Sequence, residues 1–204
     1  RGRRVDRTEP ELPRSERLWQ LVNAPNVVVL LILVTWTVLI PLNIDDGWIA
    51  ARVRAYPSHG DIAGLFTAES APMPFGYWLE WLQHLWLGLG DSALMLRIPS
   101  LGLGMGIWLG LRSVGRSLGI TKTGGALWVM AAAFLVGFGA WGITLQAEPV
   151  IAALSVASLG LALRFQRGER GSVVVWWLAV IALAVSAHPA GIIVAAPALV
   201  SWRS

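Results

Sequence analysis

The thirty-one residues from Ser172 to Trp202 contain no Lys, Arg, Asp or Glu. As one straight helix they would run roughly 45 Å, against an apolar bilayer core of about 30 Å. "HPAG" at 188–191 interrupts them: Pro189 removes a backbone donor and Gly191 weakens a helix. The block is therefore expected to form two short helices, 172–187 and 190–202, joined as a hairpin. Apolar runs recur upstream. Val27 to Leu42 is a further stretch of sixteen residues without a charge, and spans are expected at about 25–42, 92–112, 125–145 and 148–164. Composition agrees: the chain is 55% hydrophobic and 14% charged, where a soluble domain carries about a quarter charged residues. Mean hydropathy is +0.62. The fold class is an all-α, multi-pass membrane bundle of about six transmembrane helices.

Between the spans, residues 1–24 form a polar, arginine-rich segment, and 43–91 form a long loop. Within that loop "PFGYWLEWLQHLWLGLG", 74–90, is aromatic but interrupted by Glu80, Gln83 and His84. It reads as a helix lying in the membrane interface, the layer that Trp and Tyr prefer. Basic residues orient the whole. With the N-terminus in the cytoplasm, thirteen of the sixteen lie inside and only Arg52, Arg54 and Arg97 outside. The loop 43–91 is then extracytoplasmic. Arginines set beside apolar spans argue against a nucleic-acid partner. With no cysteine, disulfides and thiolate chemistry are excluded. The opening at Arg1 without Met and the ending "SWRS" read as a piece of a longer protein.

On this layout Asp45 and Asp46, Glu148 and His188 all sit where spans meet water on the outer side. Charges at that depth are costly and are usually kept for function, although each alone could be an ordinary loop residue. One aspartate could cap the helix beginning "DDGWIAARVRA". A carboxylate beside a like charge and apolar surface gains proton affinity, which suits a general base. Arg97 could reach lipid headgroups by snorkelling or hold a lipid phosphate. Asp45, Asp46 and Glu148 are hard oxygen donors that a divalent cation would accept. No tight ligand spacing joins them, however, and the sequence requires no cofactor. "GLGMG" at 102–106 lies within a span and suits close helix packing.

Five motifs in order, "IDDGW" at 44–48, "PFGYW" at 74–78, "GDSALMLRIPSL" at 90–101, "LQAEPVIA" at 145–152 and "HPAGII" at 188–193, resemble the Emb-type arabinofuranosyltransferases of mycobacteria and related actinobacteria. These belong to the GT-C superfamily of polyprenyl-phosphate-dependent glycosyltransferases. The similarity runs from about residue 10 to the end. It implies that 25–204 are part of a GT-C transmembrane domain in the plasma membrane, with an extracytoplasmic active site. The implied donor is a polyprenyl-phosphate arabinofuranose and the acceptor a cell-wall arabinan. Surrounding lipid and a homo- or hetero-dimer with a related glycosyltransferase are further implied partners. By resemblance Asp45 is the catalytic base and Asp46 its neighbour, while Glu148 matches the family glutamate of the fourth span. Arg54, Glu69, Arg97 and His188 complete the expected substrate-binding set.

Gln146 and Ala147 stand where the family usually has arginine and proline. Glu69 is out of register with the family's loop acid, and His188 occupies a position where glutamine is common. A non-catalytic GT-C-like membrane partner or lipid-binding subunit is the alternative. A transporter would place polar groups and broken helices at mid-membrane instead. The stretch covers the first half of such a membrane domain, so it is expected to be inactive alone.

Overall fold

In a computed structural model, residues 23–41, 44–59, 78–90 and 92–201 are described. The first, α1 (Ala24–Leu39), starts where Asn23 accepts the N–H of Asn26 at 3.1 Å, and Pro25 suits its first turn. Next comes α2 (Ile44–His59), which carries both aspartates in its opening turn, and then α3 (Trp78–Leu87). The longest described helix is α4 (Ala93–Ser117), which opens on a Ser92 cap and carries Pro99 in its interior, at the second turn. It ends at Gly119, whose φ of 72° is left-handed and suits glycine. After a 3-10 turn follow α5 (Gly124–Trp141), α6 (Glu148–Gln166) and α7 (Gly171–Ala187). A 3-10 segment (Pro189–Ala195) leads into the short α8 (Ala196–Ser201). There is no β-strand among the described residues.

Among the described residues two helices, α4 and α6, are long and apolar enough to cross a membrane. The remaining apolar helices are shorter. Their outward faces are hydrophobic: Val129 and Val136 on α5 and Val175 and Trp176 on α7 are exposed. Polar side chains point inward instead, among them Asn26, Thr37, Asp46, Arg97, Ser100 and Ser158.

The main core joins Val29 and Leu33 of α1 to Ile107 and Trp108 of α4 and to Phe134 and Phe138 of α5. Trp108 is fully buried, and its indole N–H donates to Asn26 Oδ1 at 2.9 Å. Gly104 lets Phe138 approach: a Cβ there would stand 2.7 Å from the ring. Of the small-residue run, Gly104 is the close contact, whereas Gly102 and Gly106 have open space around them. On the other side, α6 packs against α4 and α7.

The reversal expected at 188–191 is present, because His188 is extended and breaks α7. Gly191 then lies so close to the Ala184 carbonyl that any Cβ would overlap it. The returning arm packs along α7. Ser158 of α6 donates to the Val194 carbonyl and accepts from the Trp177 indole, both at 2.7 Å. This arm differs from the expected helix 190–202 in starting as a 3-10 segment.

Expected span 125–145 also ends early. Helix α5 stops at Trp141, and residues 142–147 form a bent strap in which Ile143, Thr144 and Leu145 are buried. Gly142 sits against the Phe138 ring where no Cβ would fit, so the helix gives way at the closest approach. Such a strap leaves backbone groups outside any helical ladder, and buried ones need partners.

Candidate functional site

Those partners are side chains from three different helices. The hydroxyl of Ser100 on α4 donates to the Thr144 carbonyl at 2.5 Å. The amide Nε2 of Gln83 on α3 donates to the Leu145 carbonyl, also at 2.5 Å. The carboxylate of Asp46 on α2 accepts the Leu145 N–H at 2.6 Å. Asp46 is 2% exposed. An ionised acceptor for a buried amide makes a stronger bond than a neutral one. The strap therefore binds the acidic pair's helix to the start of α6, whose first residue is Glu148.

Helix α3 ties this region together. Its Gln83 reaches the strap, and its His84 Nδ1 lies 3.1 Å from the Val53 carbonyl of α2. The Trp86 indole donates to the Met95 carbonyl of α4, and the Trp78 indole donates to Ser186 Oγ near the end of α7. Ser186 lies two positions before His188. The three regions carrying Asp46, Glu148 and His188 are thus linked through one short helix. Together Ala50, Val53, Leu87, Leu96 and Leu145 form the apolar cluster beneath it.

Beside the strap is a cavity of about 380 Å³. Trp78, Leu79, Leu82 and Trp86 of α3 face Pro99, Ser100 and Leu103 of α4 across it, and Thr144, Leu145, Gln146 and Val150 close it. Its surface is mostly apolar, with Gln83, Ser100, Thr144 and Gln146 supplying polar groups. An amphipathic ligand with a greasy body and a polar end matches such a lining.

The other expected residues fall as follows. Asp45 lies in the first turn of α2, so neither aspartate precedes the helix as its cap; the Asp45 side chain lies outside the described residues. Arg54 is exposed on α2. Glu69 lies outside the described residues. Arg97 turns inward and is 5% exposed, not directed at headgroups. Its Nη1 donates to the Thr37 carbonyl at 3.0 Å, near the C-terminus of α1, where a cation complements unpaired helix carbonyls. Its Nε–H is buried without an acceptor among the described residues.

Glu148 is exposed and edges a groove of about 310 Å³ bounded by Phe134, Phe138 and Gly142. His188 is exposed at the hairpin tip, where its Nδ1 accepts the Ala190 N–H at 3.1 Å. Among the described residues no three His, Asp or Glu side chains are grouped to hold a metal. Gln83 and Ser100, absent from the expected set, join the site. Their one sequence signal was polarity inside otherwise apolar helices.

A family model described as "Mycobacterial cell wall arabinan synthesis protein" matches residues 2–204. Probable arabinosyltransferase B of Mycobacterium tuberculosis (strain H37Rv) is 28% identical over 94% of this chain and 18% of its own length. The protein of the same name from Mycobacterium avium is 27% identical, over 91% of this chain and 18% of that protein. Probable arabinosyltransferase C of Mycolicibacterium smegmatis is 29% identical, over 83% of this chain and 15% of that protein. The chain thus spans less than a fifth of the length of the curated relatives it matches. No solved structure matches it. With the family model covering residues 2–204, and with the acidic pair, the strap and Glu148 joined in one region, this chain belongs to the family of mycobacterial cell wall arabinan synthesis proteins.

Proposed function

We propose that this chain carries the base-bearing part of a membrane arabinosyltransferase, which moves arabinofuranose from a polyprenyl-phosphate donor to a cell-wall arabinan acceptor. One observation carries the reading: the acidic pair's helix is bonded to the wall of an apolar cavity with polar groups at its edge. The names of the relatives support arabinosyl transfer. Apolar outward faces and inward polar side chains support a lipid surround and a GT-C-type multi-pass bundle. The basic-residue distribution supports a cytoplasmic N-terminus and an extracytoplasmic site.

In this mechanism Asp45 takes the proton of an acceptor hydroxyl, whose oxygen attacks the anomeric carbon. The bond from that carbon to the phosphate oxygen breaks, and the phosphate leaves with the electron pair. Arg54 and the inward-facing Arg97 offset its charge, and Glu148 and His188 border the sugar. The cavity between α3 and α4 takes part of the isoprenoid chain. A positioned base contributes roughly 10²–10⁴-fold, and fixed charge and orientation supply much of the rest.

In the full-length protein, Asp45→Asn should lower transfer about 10³-fold while the protein still folds and binds donor. Transfer at the wild-type rate would remove Asp45 as base. One observation favours a second reading, a non-catalytic partner that binds lipid. Gln146 lines the cavity where the family usually carries arginine, so a phosphate contact is lost. Donor binding with no turnover by the wild-type full-length protein would select that reading.

A further inference from the structure

The buried backbone groups of the strap are satisfied by side chains drawn from three separate helices. Two adjacent residues, Thr144 and Leu145, receive three side-chain bonds from α2, α3 and α4. Two of the three donors and acceptors are not acidic and lie outside the expected catalytic set. Gln83, Ser100 and the two strap residues they bind line the cavity, whereas Asp46 reaches Leu145 from outside that lining. Water or neighbouring backbone would satisfy lone carbonyls at a loosely ordered bend. Here, instead, the Leu145 peptide is fixed at both its N–H and its C=O, by Asp46 and Gln83 respectively.

We propose that Gln83 and Ser100 are positioning residues: they set the place of the Thr144–Leu145 strap, whose amide sets the place of Asp46 and hence of the acidic pair. The inference rests on the arabinosyltransferase reading above. Neither residue touches reacting atoms in this scheme. Ser100 Oγ fixes the Thr144 carbonyl, the peptide plane between Thr144 and Leu145 is thereby oriented, and its N–H points at Asp46. Gln83 fixes the opposite side of Leu145. A loosened strap would let the α2 acids drift, and a misplacement of about 1 Å costs up to 10²-fold in rate; the same residues also line the cavity given to the isoprenoid chain, so donor binding can change as well. The loss then falls on kcat and leaves the acceptor KM unchanged.

The experiment uses the full-length protein in lipid vesicles, with a polyprenyl-phosphoryl arabinose donor and a synthetic arabinan oligosaccharide as acceptor. Ser100→Ala and Gln83→Leu are expected to lower kcat about 10-fold and to leave the acceptor KM within twofold. Amide hydrogen exchange across 142–147 should accelerate in both variants. Ser100→Thr, which keeps the hydroxyl, should restore rate and exchange protection. Unchanged kcat in the variants, a loss confined to KM, or no recovery in Ser100→Thr overturns the proposal. Should Ser100→Ala not fold, Gln83→Leu, on a half-buried helix face, carries the test. Asp45→Asn separates the two ideas. Normal transfer by that variant, with kcat still lost in the strap variants, removes the base and leaves the positioning role. An inactive Asp45→Asn beside normal strap variants removes the positioning role alone.

Discussion

Asp46 and Leu145 are ninety-nine positions apart in the chain, yet the carboxylate of one accepts the amide N–H of the other at 2.6 Å. The bond ties the opening turn of α2 to the strap before α6. Both residues are buried, so the bond is shielded from water, and its loss leaves an amide with no ready substitute.

Asp46→Ala should therefore destabilise the protein by about 1–3 kcal/mol, the usual cost of orphaning a buried donor. Asp46→Asn keeps an acceptor oxygen and should cost about 1 kcal/mol, the difference between a charged and a neutral acceptor. Thermal unfolding of the purified full-length protein measures both. An alanine variant as stable as wild type would mean that the amide finds another partner.

The glycines of α4 should separate sharply. Gly104→Ala places a methyl 2.7 Å from the Phe138 ring and should cost about 1–3 kcal/mol through overpacking. Gly102→Ala meets nothing within 4 Å and should be neutral or stabilising by up to about 1 kcal/mol, because alanine is the better helix former. The pair is read in one thermal series. Equal effects would show that α4 and α5 do not pack through Gly104.

Orientation can be read chemically, because the chain has no cysteine of its own. His188→Cys at the hairpin tip should react with a membrane-impermeant maleimide in intact cells. Gln166→Cys, exposed at the end of α6, should react only after the membrane is opened. The full-length protein is first stripped of any cysteines elsewhere. The opposite pattern would reverse the bundle.

Much of the helical layout was legible. The spans expected at 92–112, 148–164 and 172–187 correspond to α4, α6 and α7, because hydropathy and terminal signals are local properties of the chain. Ser92 announces one helix start, and "HPAG" marks the reversal at the end of α7. The strap was not legible: "WGITLQ" looks like the tail of an apolar span, and its bending depends on a ring pressed against Gly142 from the preceding turn. That Arg97 meets a carbonyl at the end of α1 has no sequence signal, because a backbone carbonyl looks the same at every position. The acids carry a sequence signal, paired charge at the end of an apolar run. Their partner was invisible, because a backbone amide carries no sequence signature.

The short helix α3 bonds to α2, α4, the strap and the end of α7 through His84, Trp86, Gln83 and Trp78. Evolution and engineering meet the same restriction there. The stretch 43–91 of this chain is not a cassette that can be exchanged by itself. A chimera that imports residues 43–91 from a relative should work only when the matching 142–147 and 183–188 come with it, so these three separated stretches are expected to change together or not at all.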